Sequence, residues 1–463
     1  MLDSANLGVQ LGTSINCGFS SCADDLYLMT DTQTKLQAML DIAAFYGDTY
    51  KVCFGAAKTK VTIVGSELDR NYYSDVTPWE LGGNKVSVTI DNEHLGQIVS
   101  GVSQEQKNVD LRIEKGRRNI FGLLGPAFSY KCLLSPAVKL HLFRTYTSPI
   151  MQNGLSSFSL RTNMLEPLSV FHRKSLKGIL NLSKFASTTT IHFLLGELPV
   201  EGKIHRDVFS LFFSVWKNSS SRIYSVVKYI LETSEENSWT WAVHVKNLSA
   251  KYGLPHPLEC LKTDPPPKSE YKELILTKIC AYFETDLRSK ASNSTSMQFL
   301  NVSLTGLRGR RHPALSAIRT TYEVQKSRIH IKMLVGDYLT YDLKSTRSGG
   351  SPHCRCCCNQ TLREDLVHIL TQCNAYKDIR DRMFPEFSDA CQKSKSGLVF
   401  ETLNSERELT QFILDPSSFN LKMRINLNDP ILDRLFNLSR DYCYAVNSRR
   451  TTLIRRLEKT KTG

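Results

Sequence analysis

The stretch Ser20-Ser21-Cys22-Ala23-Asp24-Asp25-Leu26-Tyr27-Leu28-Met29 places two adjacent carboxylates between two apolar, strand-like segments. Like charges held together at a turn repel each other, and neither carboxylate gains from losing water. Divalent metal ions remove that cost, and Mg²⁺ prefers the carboxylate oxygens that two-metal phosphoryl transfer requires. Asp24 and Asp25 are therefore candidate Mg²⁺ ligands, and an exposed Asp-Asp turn is the alternative.

The residues after this stretch predict a mixed α/β region. Residues 31–46 have the apolar spacing of an amphipathic helix, and Gly47 is expected to stop it. The apolar face comprises Leu36, Met39, Leu40 and Ala43. Two β-branched runs, 61–64 and 86–90, are typical of strands.

From about Leu111 onward the pattern becomes helical. Ser135 and Pro136 form a good helix start, because a serine caps the first amides and proline suits the first helical position. The following segment carries Val138, Leu142, Tyr146 and Ile150 at helical spacing. Residues 306–312 are expected to form a flexible basic loop, and residues 440–463 a basic helix.

The bulk composition predicts a globular intracellular protein. The 463 residues are 41% hydrophobic and 9% aromatic, and the formal net charge of +14 favours a polyanionic partner such as nucleic acid. A basic soluble protein without such a partner is the alternative. No apolar run reaches the roughly 20 residues of a membrane span, and the amino terminus lacks a secretory pattern. The 13 cysteines are therefore expected to be reduced thiols in the cytoplasm or nucleus.

A cysteine-rich segment is the second feature that carries chemistry. His353-Cys354-Arg355-Cys356-Cys357-Cys358 is followed by His368 and Cys373, which are five residues apart. Cys354, Cys357, His368 and Cys373 have the ligand types of a structural tetrahedral Zn²⁺ site. Cys356 or Cys358 could replace Cys354 or Cys357, so the register stays open. Metal-free reduced thiols are the alternative.

The order of the motifs near the amino terminus resembles the palm of reverse transcriptases from non-LTR retrotransposons. Ala23-Asp24-Asp25 is followed by an amphipathic helix, by Ala57-Lys58-Thr59-Lys60 leading into a strand, and by His94-Leu95-Gly96. The resemblance implies that Asp24 is the principal Mg²⁺ ligand and Asp25 a weaker one. It places Lys58, or less favourably Lys60, near the incoming triphosphate, and His94, Leu95 and Gly96 under the primer.

The rest of the chain also resembles that family. Residues 134–155 and 195–201 are similar to segments of a thumb-like helical region that follows the palm, where Lys174, Lys177, Lys184 and Arg206 are candidate phosphate contacts. The Cys/His segment matches the one near the end of many such enzymes, where it is thought to engage nucleic acid. Basic residues in and around it are therefore candidate nucleic-acid contacts. They are Arg355, Arg363, Lys377 and Arg380.

The resemblance implies an α+β fold with five segments. Residues 1–105 would form the carboxy-terminal half of the palm, with antiparallel strands and a helix, and residues 106–205 the thumb-like helices. Residues 206–347 would be a helical connector and 348–385 the zinc segment. Residues 386–463 would be a basic helical tail.

The chain departs from the family in two respects. Cys22 stands where the family usually has Tyr or Phe, and only 23 residues precede Asp24, so the first catalytic Asp and the fingers are expected to be missing. The leading hypothesis is an RNA-directed DNA polymerase fragment, acting with an RNA template, a DNA primer or target and deoxynucleoside triphosphates, and inactive alone. The alternatives are a non-catalytic nucleic-acid-binding zinc protein and an unrelated zinc-dependent regulatory protein.

Overall fold

The computed structural model describes most of the chain. The described residues are 2–75, 78–123, 125–129, 132–235, 238–292, 298–316, 318, 320–357, 362–393, 400 and 402–462. The structure is 62% helical with a few small sheets, which confirms the α+β class. Within these ranges, no helix is both long enough and apolar enough to cross a membrane.

The strands form short two-stranded sheets. In chain order they are β1 Val9–Leu11, β2 Ile15–Cys17, β3 Phe19–Cys22, β4 Asp25–Leu28, β5 Lys60–Val61, β6 Glu80–Leu81, β7 Asn84–Lys85, β8 Ser87–Val88, β9 Asp91–His94 and β10 Gln97–Ser100. The pairs β1–β2, β3–β4, β6–β7 and β9–β10 are antiparallel, whereas β5 and β8 pair in parallel. The two β-branched runs therefore pair with each other, although only Val61 of the first run and Ser87 and Val88 of the second are in strand.

Helices make up most of the remainder. The first are α1 Leu2–Ala5, α2 Gln33–Tyr50, α3 Glu67–Asp75, α4 Gln104–Arg118, α5 Gly125–Phe128, α6 Pro136–Leu142, α7 Ser148–Gln152, α8 Thr162–Leu180, α9 Thr188–Leu195 and α10 Val200–Lys217. Then follow α11 Arg222–Thr233, α12 Trp241–Tyr252, α13 Pro257–Cys260, α14 Lys268–Ser292, α15 Thr321–Leu334, α16 Tyr341–Ser348, α17 Lys377–Gln392, α18 Glu406–Leu414 and α19 Pro430–Thr462.

The chain divides into two compact units. The first comprises residues 1–114, 152–168 and 203–278, and the second comprises residues 115–151, 169–202 and 279–463. Both units are discontinuous in sequence, so they differ in kind from the five consecutive segments that the sequence predicts. Those segments remain a prediction.

In the first unit, α2 packs on a small core. Thr32 caps the helix by accepting a hydrogen bond from the Lys35 amide. The buried face includes Met39, Leu40 and Ala43, as predicted. The core comprises Leu40, Ala43, Val61, Trp79, Leu81 and Val86. α2 contributes Leu40 and Ala43 to this core, and β5 contributes Val61.

Gly47 was predicted to end α2, and this is wrong. The helix continues to Tyr50 and is capped by Lys51 in the left-handed conformation. Gly47 is buried, and a Cβ atom at this position would lie 2.6 Å from the Val52 carbonyl oxygen. Glycine is therefore needed for a close approach of the chain and not for a helix stop.

In the second unit, α6 begins as predicted but buries a different face. Ser135 accepts a hydrogen bond from the Val138 amide, and Pro136 is at the start of the helix. The segment continues through a π-helical turn, Phe143–Thr147, into α7. The buried face already differs from the predicted one before this turn, because Val138 lies in α6 and is exposed. Val138 and Tyr146 are 43% and 48% exposed, whereas Lys139, Leu140, Phe143, Thr147 and Met151 are buried.

The predicted basic tail is the end of a longer helix. α19 has 33 residues and begins ten residues before the predicted start. Its apolar positions pack against α15 and α17 in the core of the second unit. Arg440 is only 1% exposed, so part of the positive charge assigned to this tail lies in the interior.

The basic loop 306–312 is irregular but tied to its neighbours. The Gly309 amide donates to the Gly196 carbonyl at 2.9 Å, and the His312 amide donates to the Leu194 carbonyl at 2.9 Å. The His312 side chain is fully buried. These bonds hold the loop against the end of α9. The sequence predicts a flexible loop, but these two hydrogen bonds restrain it.

Candidate metal centre and acidic groove

Four side chains of the cysteine-rich segment converge in the second unit. The sulfurs of Cys354 and Cys373 are 3.9 Å apart, and the Cys357 sulfur is 3.5 Å from His368 Nε2. All four ligand atoms lie within 4.8 Å of one another. Ligands about 2.0–2.3 Å from a tetrahedral Zn²⁺ are separated by distances of this order. The four residues therefore form a cluster that could hold a zinc ion.

Local backbone bonds explain why these residues meet. The Cys354 amide donates to the Leu362 carbonyl at 3.0 Å. Cys354 and Leu362 are therefore neighbours in the structure. Residues His368–Gln372 form a π-helical turn in which the Cys373 amide donates to the His368 carbonyl at 2.8 Å. Because a π-turn closes over five residues, it puts His368 and Cys373 on the same side. A regular α-helix would place them less directly in line.

The electrostatics of the cluster suit a cation. Hydrogen bonds from the Cys356 and Cys373 thiols lower the pKa of Cys354 despite its burial, so a thiolate is stable there. The bond to Cys354, together with burial, raises the pKa of Cys373. Burial would lower the pKa of His368, but its hydrogen bond to Cys354 and the charge of that thiolate raise it overall. A bound zinc ion would supply the positive charge that the buried thiolate attracts.

The geometry favours one register among the cysteines. Cys356 belongs to a second grouping with Cys354 and Glu364. However, that grouping supplies three ligand atoms, whereas a closed structural Zn²⁺ site has four. Cys358 lies outside the described residues. Cys354, Cys357, His368 and Cys373 are therefore the better ligand set.

The three arginines predicted to contact nucleic acid occupy different environments. Arg363 is exposed and pairs with Asp342 at 3.0 Å, and Arg355 is exposed with its guanidinium 4.7 Å from the Tyr341 ring centroid. Arg380 is only 8% exposed and donates to the Cys373 carbonyl at 2.8 Å. Arg380 thus holds the backbone of a candidate metal ligand, and a nucleic-acid contact for it stays a prediction.

The acidic pair lies on a tight hairpin in the first unit. In β3–β4, Cys22 is opposite Asp25, and Ala23 and Asp24 form the turn. Ala23 has a φ of +55°, which a two-residue hairpin turn requires. Asp24 and Asp25 are both exposed.

The acidic hairpin opens onto a groove. A cavity of about 2080 Å³ is lined by Asp24, Asp25, Lys58, Lys60 and His94, among other residues of the first unit. The structure thus gathers the acidic pair, both lysines and the histidine, which lie far apart in sequence.

Of the three residues expected under the primer, His94 lines this cavity, whereas Leu95 and Gly96 are not among its lining residues. The His94 ring is 5.1 Å from the Tyr27 ring, measured between centroids. Leu95 and Gly96 form the β9–β10 turn, with φ angles of +49° and +75°. Lys60 donates to Ser87 at 2.8 Å, whereas Lys58 is exposed in the turn before β5.

The acidic pair offers few ligands for a metal. Among the residues that the structure describes, no third His, Cys, Asp or Glu completes a close ligand group with Asp24 and Asp25. Mg²⁺ requires near-octahedral coordination and usually combines one or two carboxylates with water and substrate phosphates. Asp24 and Asp25 would therefore hold Mg²⁺ only together with water or substrate phosphates.

The sequence did not reveal one further ionic contact. Arg144 and Glu197 belong to the two helical segments that resemble the thumb-like region, and the structure joins them. Arg144 Nε donates to the buried Glu197 carboxylate at 2.7 Å. In the sequence, the only signal of this contact is a single charged residue, Glu197, between apolar neighbours.

No protein-family model matches this chain, and no curated protein matches it significantly.

Proposed function

We propose that this chain is part of an RNA-directed DNA polymerase of the non-LTR retrotransposon type. The observation that carries the proposal is the groove that Asp24, Asp25, Lys58 and His94 line together. In the sequence these residues belong to three motifs whose order resembles the polymerase palm. Their meeting at one surface supports a common role in nucleotide transfer.

Each residue then has a chemical task. The reaction joins a primer 3′-hydroxyl to the α-phosphate of a nucleotide and releases pyrophosphate. Asp24 and Asp25 would contribute oxygen ligands to Mg²⁺, which stabilises charge on the reacting oxygens when bound. Lys58, exposed at the groove, would contact the triphosphate and donate a proton to the departing pyrophosphate. His94 and the Leu95-Gly96 turn would support the primer end.

The Cys/His cluster would serve nucleic-acid binding. A zinc ion at Cys354, Cys357, His368 and Cys373 would order a segment that carries exposed Arg355 and Arg363. Such basic side chains add affinity for phosphates without reading sequence. The net charge of +14 supports a nucleic-acid partner.

A specific observation favours a second candidate function. Because no third His, Cys, Asp or Glu among the described residues forms a close ligand group with Asp24 and Asp25, the chain would suit nucleic-acid binding without catalysis. A retroelement remnant of that kind needs only the zinc cluster and the positive surface.

Primer extension distinguishes the two functions. The assay uses an RNA template, a DNA primer and Mg²⁺, with this chain and with the chain joined to any coding sequence found upstream of Met1. Extension that Asp24→Ala abolishes supports the polymerase, and Asp110→Ala is the control because exposed Asp110 lies on α4 and does not line the groove. Salt-dependent nucleic-acid binding without extension in either form would support the binding protein instead.

A further inference from the structure

Phe185 is an exposed aromatic ring with two cations close to it. It lies in the 181–187 loop of the second unit, and its side chain is 61% exposed. The Lys184 ammonium is 5.0 Å from the ring centroid, and the Arg347 guanidinium is 4.9 Å from it. A single exposed apolar side chain is common on a protein surface, so the two neighbouring cations, and not the exposure alone, distinguish this ring.

The loop that presents Phe185 is held firmly. The Ser183 amide donates to the Asp337 carboxylate at 2.7 Å, and the Ser183 hydroxyl donates to the same carboxylate. The Phe185 amide donates to the Ser183 hydroxyl at 3.2 Å, and Lys177 donates to the Lys184 carbonyl at 2.8 Å. The ring is therefore displayed by a fixed loop.

The surroundings of the ring are positively charged. Burial lowers the pKa of Lys177. The charge of nearby Arg173 also lowers this pKa, whereas the charge of Asp337 raises it. Asp337 also lies beside this loop, but it is only 6% exposed and accepts a hydrogen bond from Ser183, with Arg347 at 4.0 Å. The surface around Phe185 thus presents cations, and Asp337 is withdrawn from solvent.

We propose that Phe185 is a stacking platform for an unpaired base of single-stranded nucleic acid, with Lys184 and Arg347 contacting the adjacent phosphates. An exposed ring with cations beside it matches the way proteins hold single strands, where bases stack on aromatic rings and the backbone meets positive charge. A duplex keeps its base faces inside the stack, so it offers no face to the ring. The proposal deepens the proposed function, because it rests on the chain binding nucleic acid.

The test measures binding of the full chain to a labelled oligouridine of about 20 nucleotides and to a blunt duplex of the same length. Phe185→Ala is expected to weaken single-strand binding about tenfold, the range expected for loss of one stacked base. Its salt dependence should be unchanged, because the ring carries no charge. Lys184→Gln should instead reduce the slope of log K against log salt by about 0.7.

Two further variants sharpen the result. Phe185→Trp should retain affinity, and its added fluorescence should be quenched by the single strand but not by the duplex. Tyr72→Ala is the matched control, because Tyr72 is 60% exposed on α3, whose first turn carries Glu67 and Asp69. It should leave binding unchanged.

The outcomes separate this proposal from the proposed function. If the chain binds single strands with steep salt dependence but Phe185→Ala is unchanged, the stacking site is wrong and nucleic-acid binding stands. The stacking site is also wrong if Phe185→Ala weakens binding of the single strand and of the duplex equally. If the chain binds neither probe, both proposals are wrong.

Discussion

Arg450 of α19 donates a hydrogen bond to the Glu364 carboxylate at 2.5 Å, beside the Cys/His cluster. The Glu364 side chain is fully buried, and that of Arg450 is 11% exposed. Burial raises the pKa of Glu364, and the bond and charge of Arg450 oppose this rise. Both residues lie in the second unit, so the pair ties the segment that carries the metal ligands to the carboxy-terminal helix.

Replacing Arg450 should strongly destabilise the second unit. Arg450→Met keeps most of the aliphatic stem but leaves a buried carboxylate without its cation, which typically costs about 3–5 kcal/mol. The free energy of unfolding in urea, measured with zinc present, checks this. Arg449→Met is the matched control, because Arg449 pairs with exposed Asp378 at 2.8 Å and should change little. Equal losses in both variants would contradict a special role for Arg450.

The ligand register predicts which cysteines retain zinc. Cys357→Ser and Cys373→Ser should lose the bound ion on dialysis against a moderate chelator, because each removes a soft ligand from the tetrahedral set. Cys356→Ser should retain one zinc per chain, measured by elemental analysis. Retention by Cys357→Ser together with loss by Cys356→Ser would establish the alternative register.

Two glycines at helix ends provide a controlled test of packing. Gly196 ends α9 with a φ of +61°, and Gly253 ends α12 with a φ of +62°. A Cβ atom at Gly196 would lie 2.2 Å from the Arg310 carbonyl oxygen, whereas one at Gly253 would meet nothing within 4 Å. The two sites therefore share their backbone strain and differ in their neighbours.

Gly253→Ala should cost about 1–2 kcal/mol of unfolding free energy, the usual penalty for a side chain in the left-handed conformation. Gly196→Ala should cost distinctly more, because the Arg310 backbone must also move. Urea unfolding measures both variants. Similar losses of unfolding free energy in the two variants would show that the basic loop moves away from the added methyl group without a cost in free energy.

Local features of the sequence predicted much of the fold. The Ser135-Pro136 helix start and the apolar face of α2 follow from capping and periodicity, and both are confirmed. The prediction for Gly47 was wrong because the sequence does not show which part of the backbone packs against this glycine. Without that information, a buried glycine within a helix cannot be told from a glycine at a helix end. The buried face after Pro136 was missed because it includes Lys139 and Thr147, whose polar side chains do not indicate a core position in the sequence.

The candidate site was predictable where ligands are close in sequence. The spacing of Cys354, Cys357, His368 and Cys373 led directly to the cluster that the structure forms. The pairing of Arg450 with Glu364 was not predictable, because it joins positions 86 residues apart. Arg380 looked like a surface cation, since nothing in the sequence shows that its guanidinium meets the Cys373 carbonyl.

Another buried group makes stability depend on pH. His330 is fully buried in the second unit, and its Nε2 lies 2.8 Å from the Leu414 carbonyl oxygen, to which it donates. Burial and then the charge of Arg440 lower the pKa of His330 to about 4, with a smaller lowering effect from His312. The bond to Leu414 and the charge of Asp415 act in the opposite direction. His330 is therefore neutral in the folded protein at neutral pH.

Acid should destabilise the fold through His330. Its pKa of about 4 when folded lies below the value of about 6.5 in the unfolded chain, so the unfolded chain takes up the proton first as pH falls. This contribution is fully present above pH 6.5 and is lost towards pH 4, by about 3 kcal/mol in total.

His330→Gln keeps a donor for Leu414 but does not titrate, so its unfolding free energy should fall less over that range. Any acid release of zinc affects both proteins and cancels in the comparison. His141→Gln, at an exposed position of α6, should retain the wild-type slope. Parallel curves for wild type and His330→Gln would mean that His330 is protonated without loss of stability.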